Sequence, residues 1–265
     1  MGLKRAELKG AMAAALIGAL VLLPLVPLVL WSVAAKWFPP DLLPQEWGLR
    51  GYRALLGGGS TRVLWDSVSV AAAVTGLAVL LAYPAGRSLG LSRHRAKQVV
   101  QAALLLPALL PSMATALGLH VRFIHLGLAD TRTGVILAHL VPALPYAVIA
   151  MAAGFARYDA RFEEAARNLG AGRGRVLLTV TLPNVAPTVI TAGLFAFLIS
   201  WSQYTLTLVV GGGIVVTLPI LLYSTVSGGD LHLTAAACIV FIAPVLLLLP
   251  LTSRALSGTS MGGES

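Results

Sequence analysis

The stretch Ala156–Thr188, "ARYDARFEEAARNLGAGRGRVLLTVTLPNVAPT", decides how this 265-residue chain is read. It is too polar to cross a bilayer, and its first half is too rich in helix formers to be a floppy loop. From Asp159 through Asn168 the residues favour a short helix, with Asp159 placed to cap its start and Gly170 to stop it. Phe162, Ala165, Ala166 and Leu169 recur at helical spacing, giving a narrow apolar face beside Arg161, Glu164 and Arg167. A helix of this kind belongs outside hydrocarbon.

Everything around it belongs inside. Hydrophobic residues make up 57% of the chain and charged residues 11%, far from the roughly 25% charged usual for soluble domains, and mean hydropathy is +0.86. Crossing about 30 Å of hydrocarbon takes about 20 apolar residues. Six segments satisfy this: Ala11 to Trp37, Val63 to Gly86, Val99 to Leu119, Gly134 to Phe155, Val185 to Val209 and Leu233 to Leu251. The expected fold is therefore all-α, a polytopic membrane protein of six transmembrane helices with one extra-membrane helix. The first apolar stretch follows Lys4, Arg5 and Lys9 as in a signal peptide, yet it exceeds the 7 to 15 residues of a signal core, so it reads as an uncleaved span. Residues 1–62 then form the first span and an external loop, 63–255 the membrane core with the polar loop 157–183, and 256–265 a tail.

A net charge of +9 raises the question of nucleic acid. The basic residues are grouped between apolar runs without interleaved aromatics, so they read as topology signals and no nucleic-acid partner is expected. Thirteen lysines and arginines, among them Arg87, Arg93, Arg95 and Lys97 of "RSLGLSRHRAK" and the five from Arg157 to Arg175, fall on one side of the six-span scheme, against six on the other. Positive residues are retained in the cytoplasm, which puts both termini and loop 157–183 there.

Prolines 24, 27, 84, 107, 111, 142, 145, 187 and 244 lie within the apolar segments; they read as gate hinges or as the ordinary proline content of membrane helices. The only cysteine, Cys238, excludes an intramolecular disulfide and a cysteine metal cluster. No metal site is expected. There is no G-x-x-x-x-G-K-[ST] loop, and "GAGRGR" at Gly170–Arg175 has the wrong spacing, so the chain has no usual means of cradling nucleotide phosphates. No H-E-x-x-H and no nucleophile–base set appears, so no catalytic residue is expected. Asp66, His120 and His232 fall near segment ends, and His139 alone lies deep; it reads as a hydrogen-bonded packing residue or as a transport residue.

The fifth segment carries a richer polar set in "FLISWSQYTLTLVVGGG", Phe197–Gly213. Ser200, Gln203 and Thr207 fall on one helical stripe and Phe197, Trp201 and Tyr204 on an adjacent one. The candidate pathway set is Ser200, Trp201, Gln203, Tyr204 and Thr207, with aromatics to stack on a solute and amides or hydroxyls to replace its water. Hydrogen bonding between helices is the equally weighted alternative.

Glu164, Ala165, Ala166, Gly170, Val180, Leu182 and Pro183 reproduce, at the right spacing, the Glu-Ala-Ala signature of the inner-membrane permease subunits of ATP-binding-cassette importers, with Val180 in place of the usual isoleucine. The chain resembles that family over nearly its whole length. "WGLRGYRALL" (Trp47–Leu56) is similar to the segment before the family's core helices, and "PALPYAV" (Pro142–Val148) to its fourth-span pattern. The resemblance implies a binding-protein-dependent importer in a bacterial-type inner membrane. It makes loop helix Glu163, Glu164, Ala165, Ala166, Arg167 and Gly170, with Leu182 and Pro183, the coupling element that docks on a separate ATPase. It also implies an ATPase dimer that binds ATP and magnesium, a second and distinct permease subunit and an extracytoplasmic binding protein, with no cofactor in this chain. "LPNVAPTVITAGLFAF" and "TLPILLYSTVSGGD" are most similar to the polyamine, opine, phosphonate and ferric-iron cluster, implying a small organic solute. Polyamine carriers in that cluster often place acidic residues where this chain reads Ser200–Tyr204, which weighs against a dication. A gradient-driven transporter and a non-transporting scaffold are the alternatives from other classes.

Overall fold

The computed structural model describes residues 23–38, 40–92 and 96–257, together with positions 12, 16, 18 and 20. Helices dominate. In order they are α1 (Leu25–Ser32), α2 (Arg50–Leu56), α3 (Ser60–Leu91), α4 (Ala96–Leu109), α5 (Ser112–His125), α6 (Arg132–Phe155), α7 (Arg161–Asn168), α8 (Arg173–Val176), a π-helical turn (Leu177–Thr181), α9 (Leu182–Trp201), α10 (Thr205–Val210), α11 (Leu218–Gly228) and α12 (Leu231–Ser257). A two-stranded antiparallel hairpin, β1 (Ala34–Lys36) with β2 (Glu46–Trp47), joins α1 to α2.

Two compact units form. Of the described residues, those up to 62 and 221–243 form one, and those of 63–220 and 244–257 the other. In the first, Trp31 stacks on Trp37 at 4.5 Å and meets the edge of His232 at 5.0 Å, while Lys36 and Glu46 pair across the hairpin at 3.7 Å.

The second unit carries the sites. Its core is a continuous cluster from Val70, Val74 and Ala78 of α3 through Ala143, Ala147, Val148 and Met151 of α6 to Ala192 and Ala196 of α9. Small residues set the spacing. A Cβ on Gly86 would stand 2.5 Å from the Met151 Cβ, and one on Gly90 the same distance from the Phe155 Cβ, so glycine is what lets α3 lie against α6. Threonine 131 caps α6 by accepting from the Gly134 amide at 3.0 Å.

Among the described residues, four helices are long and apolar enough to cross a membrane, Ser60–Leu91, Arg132–Phe155, the run Arg173–Trp201 and Leu231–Leu248; the pair α4 and α5 makes a fifth if it is one broken span. The expected first span, Ala11 to Trp37, is described only in part before residue 23; from there its helix, α1, ends at Ser32 and the chain turns into strand β1 at Ala34–Lys36, so the apolar run outlasts the helix by about five residues. Two expected spans are not the straight helices that hydropathy suggests. Val99 to Leu119 is broken by an 87° bend at Leu110–Pro111, where proline lacks the amide needed to continue the ladder and excludes helical geometry from its predecessor. Val185 to Val209 ends as a helix at Trp201 and resumes at Thr205, so the two stripes read across it are interrupted.

Candidate functional site: a buried carboxylate under the loop helix, and a cavity between two helix breaks

Helix α7 begins at Arg161, one residue later than a cap at Asp159 would start it, although Asp159 still serves its first turn: Oδ1 accepts from the Arg161 amide at 3.0 Å. Its end follows the sequence. Gly170 has φ +85°, and the amides of Gly170 and Ala171 return to the carbonyls of Arg167 and Ala166. That left-handed turn is open to glycine at no steric cost.

The helix has two unlike faces. Inward, Glu163 is only 3% exposed. Its carboxylate accepts both guanidinium nitrogens of Arg87, each at 2.8 Å, one from Arg167 at 3.1 Å, and the Thr181 hydroxyl at 2.9 Å. Arg87 also lies 5.9 Å from the centre of the Phe155 ring, which meets Tyr83 and Tyr158 edge-on. Donation from Arg87 is the largest effect holding the Glu163 carboxyl below the usual carboxylate range, against burial, which pushes it up. Such a bidentate pair fixes orientation as well as distance. Outward, Glu164, Ala165 and Arg167 are exposed, with Phe162 at 58% and Leu169 at 89%.

Arg167 is half exposed and its guanidinium also bonds within the helix to Glu163 at 3.1 Å. Arg87 and Thr181 escaped the sequence reading. Arg87 was counted as a topology charge because the apolar run ends before it, yet α3 continues to Leu91 and carries it onto the loop helix. Thr181 closes the π-helical turn in which the Leu182 amide bonds five residues back to Leu177. Pro183 accounts for the widening, since its ring crowds the carbonyl four residues before it.

The pathway set divides. Ser200 and Thr207 are 4% and 0% exposed and face His139, which is 1% exposed, with Nδ1 to Ser200 Oγ 3.0 Å and Nε2 to Thr207 Oγ1 2.8 Å. Trp201 is buried and stacks on Phe197 at 5.7 Å. Tyr204 is half-buried in the break itself. Gln203, with Ser202, lines a cavity of about 460 Å³ together with Ser112, Thr115, Tyr146, Phe195 and the prolines 107 and 142. Ser200, Gln203 and Thr207 therefore do not share one surface: the break turns Gln203 into the cavity and leaves the other two on the histidine. The cavity adjoins both helix breaks, and among the described residues no acidic or basic side chain lines it. A larger hollow of about 870 Å³ lies beside α7 between α6 and α9, lined by Arg157, Tyr158, Asp159, Phe162 and Asn184 among others. No cluster of metal-ligating side chains is found among the described residues.

Comparison with known proteins gives these two features a context. Residues 78–257 match the family described as "Binding-protein-dependent transport system inner membrane component". The chain is 30% identical over 239 residues to the molybdenum transport system permease protein ModB of Mycobacterium bovis, covering 84% of this chain and 86% of that one. It is 28% identical to the spermidine/putrescine permease PotC of Haemophilus influenzae over 74% of each chain. The fold matches a chain of a bacterial importer of the acidic polysaccharide alginate with a TM-score of 0.68 at 22% identity, covering 94% of this chain and 96% of the other. This multi-pass chain belongs to the inner-membrane permease subunits of binding-protein-dependent ATP-binding-cassette importers.

Proposed function

We propose that α7 is the lever through which a partner ATPase drives this permease, and that Glu163 is the joint by which the lever moves the membrane helices. The carrying observation is the split of neighbouring residues: Glu163 is locked to α3 and to the π-helical turn, while Phe162, Glu164, Ala165 and Leu169 face outward. An exposed apolar pair on a charged helix supports a docking surface for a protein groove. Force applied to it reaches α3 through Arg87 and α9 through Thr181, because α9 continues from that turn.

In this reading ATP and magnesium are bound by an ATPase dimer, and this chain makes and breaks no covalent bond. A second permease subunit completes the path, and an extracytoplasmic binding protein delivers the solute. Closure of the ATPases displaces α7, and the displacement changes which side of the membrane the path opens to. Both termini and α7 lie in the cytoplasm, following the distribution of positive charge.

The cavity at Gln203 is the segment of the path this chain supplies. It places hydroxyl, amide and aromatic groups around a solute and offers a polycation no carboxylate. The similar permeases are named for molybdenum, spermidine/putrescine, trehalose and 2-aminoethylphosphonate, and these are the solutes to offer.

Reconstitution tests the reading. The complex captured on a tag at this chain is placed in proteoliposomes with labelled molybdate, spermidine, trehalose and 2-aminoethylphosphonate offered in turn with the co-purified binding protein. Uptake that needs ATP and survives ionophores supports the importer; uptake abolished by ionophores and indifferent to ATP makes this a gradient-driven carrier.

A further inference from the structure

His139 stands in the first half of α6, buried, and it touches both sides of the interruption between α9 and α10. Ser200 belongs to the last turn of α9 and Thr207 to the first turn of α10. Thr207 Oγ1 has a further partner, the Gln203 carbonyl, to which it donates at 3.0 Å. A hydroxyl has one proton to give. With that proton on the Gln203 carbonyl, the Nε2–H of His139 must donate to Thr207, and the Ser200 hydroxyl must donate to Nδ1. One imidazole tautomer satisfies all three bonds.

The consequence is geometric. Only Ser202, Gln203 and Tyr204 lie outside helix here, and they are held at one end through Ser200 and at the other through Thr207 and the Gln203 carbonyl. The side chains of Ser202 and Gln203 enter the cavity from this held segment. A helix break without such ties is free to change the direction of its side chains.

We propose that His139 is a positioning residue for transport: by clamping both ends of the break it fixes how Ser202 and Gln203 are presented to the solute. The inference rests on the cavity being part of the path. His139 touches no solute; it acts through the segment it holds.

The test uses the assembled complex in proteoliposomes, with Cys238→Ser removing the native thiol and Gln203→Cys as reporter. The probe is a small cationic methanethiosulfonate. His139→Ala changes the labelling rate at position 203 by about ten-fold, the scale set by losing two buried hydrogen bonds. His139→Gln, whose amide can both donate and accept, restores the parental rate. The pair Ser200→Ala and Thr207→Val reproduces the change without touching the histidine, and adding His139→Ala to it changes nothing more. Tyr146→Cys, on the α6 side of the cavity, labels at one rate in every background. An unchanged rate at position 203 in His139→Ala overturns the proposal, as does an equal change at position 146, which marks general loosening. Whether the cavity is part of the path is read separately: position 203 must label at different rates in nucleotide-free and vanadate-trapped complexes, and equal rates would remove that premise whatever the clamp comparison gives.

Discussion

Arg87 and Glu163, 76 residues apart in sequence, meet as a fork on a fork, with two nitrogen–oxygen distances of 2.8 Å. The arginine is 31% exposed and the glutamate 3%. Removing one member of such a buried pair leaves the other uncompensated, at a cost of about 3 to 5 kcal/mol when burial is complete, and the open side of Arg87 brings this case toward the lower end. Arg87→Glu and Glu163→Arg alone should each uncouple ATP hydrolysis from uptake, and the double exchange should recover a substantial part of the coupling. The ratio of solute moved to ATP hydrolysed is the measurement, and a double exchange no better than either single change would show that the pair is not the joint.

Acid should loosen the same joint. The Glu163 carboxyl is held below its ordinary value, chiefly by the Arg87 bond. A group whose folded value is depressed contributes stability above its unfolded value, about 4.3 for glutamate, and that contribution is lost as pH falls through the folded value. Between pH 7 and 5 the contribution is constant, and below about 4.3 it declines. Glu163→Gln should melt at lower temperature at pH 7 and lose less on acidification than the parent, measured by thermal melts of the detergent-solubilised complex.

Gly170 bears on the lever's end. Its φ of +85° is strained for any side chain, although a Cβ there would meet nothing within 4 Å. Left-handed geometry costs a non-glycine residue about 1 to 2 kcal/mol, with asparagine best tolerated. Gly170→Trp should abolish transport while the chain still inserts in the membrane, Gly170→Val should impair it, and Gly170→Asn should come closest to the parent. If asparagine and valine behave alike in uptake, the turn's geometry is not what matters at this position.

The outward face makes a different prediction. Phe162 on α7 and Leu169 at its C-terminal cap are exposed large apolar side chains beside the charged Glu164 and Arg167. Burying one such side chain in a partner is worth about 1.5 to 3 kcal/mol, so Phe162→Ser or Leu169→Ser should weaken ATPase association by about ten-fold or more while leaving the melting temperature of the isolated permease unchanged. Quantitative pull-down against added ATPase reads this directly.

Much of this was legible in the residues. Hydropathy found the apolar segments because a helix in lipid must satisfy its own backbone, and the glycine at position 170 marked the end of α7 because only a left-handed residue closes that turn. The breaks were less visible. A proline in a membrane helix is compatible with anything from no bend to the 87° found between α4 and α5, and nothing in "SWSQY" (Ser200–Tyr204) carries a helix breaker; the residues that flank that interruption, Ser200 and Thr207, bond His139 of another helix, which local pattern does not show. Local pattern also chose Glu164 over Glu163 as the focus: adjacent glutamates look alike until packing buries one, and its partner Arg87 lies in another helix.

The measurement that bears most directly on the lever is a site-specific photo-crosslink from Leu169, replaced by a photoreactive amino acid in the tagged chain within its native membrane. The account predicts that irradiation joins position 169 to a chain bearing a nucleotide-binding P-loop, identified by mass spectrometry, and that the yield changes on adding ATP with vanadate. An assembled, transporting complex in which position 169 crosslinks to lipid alone would contradict it.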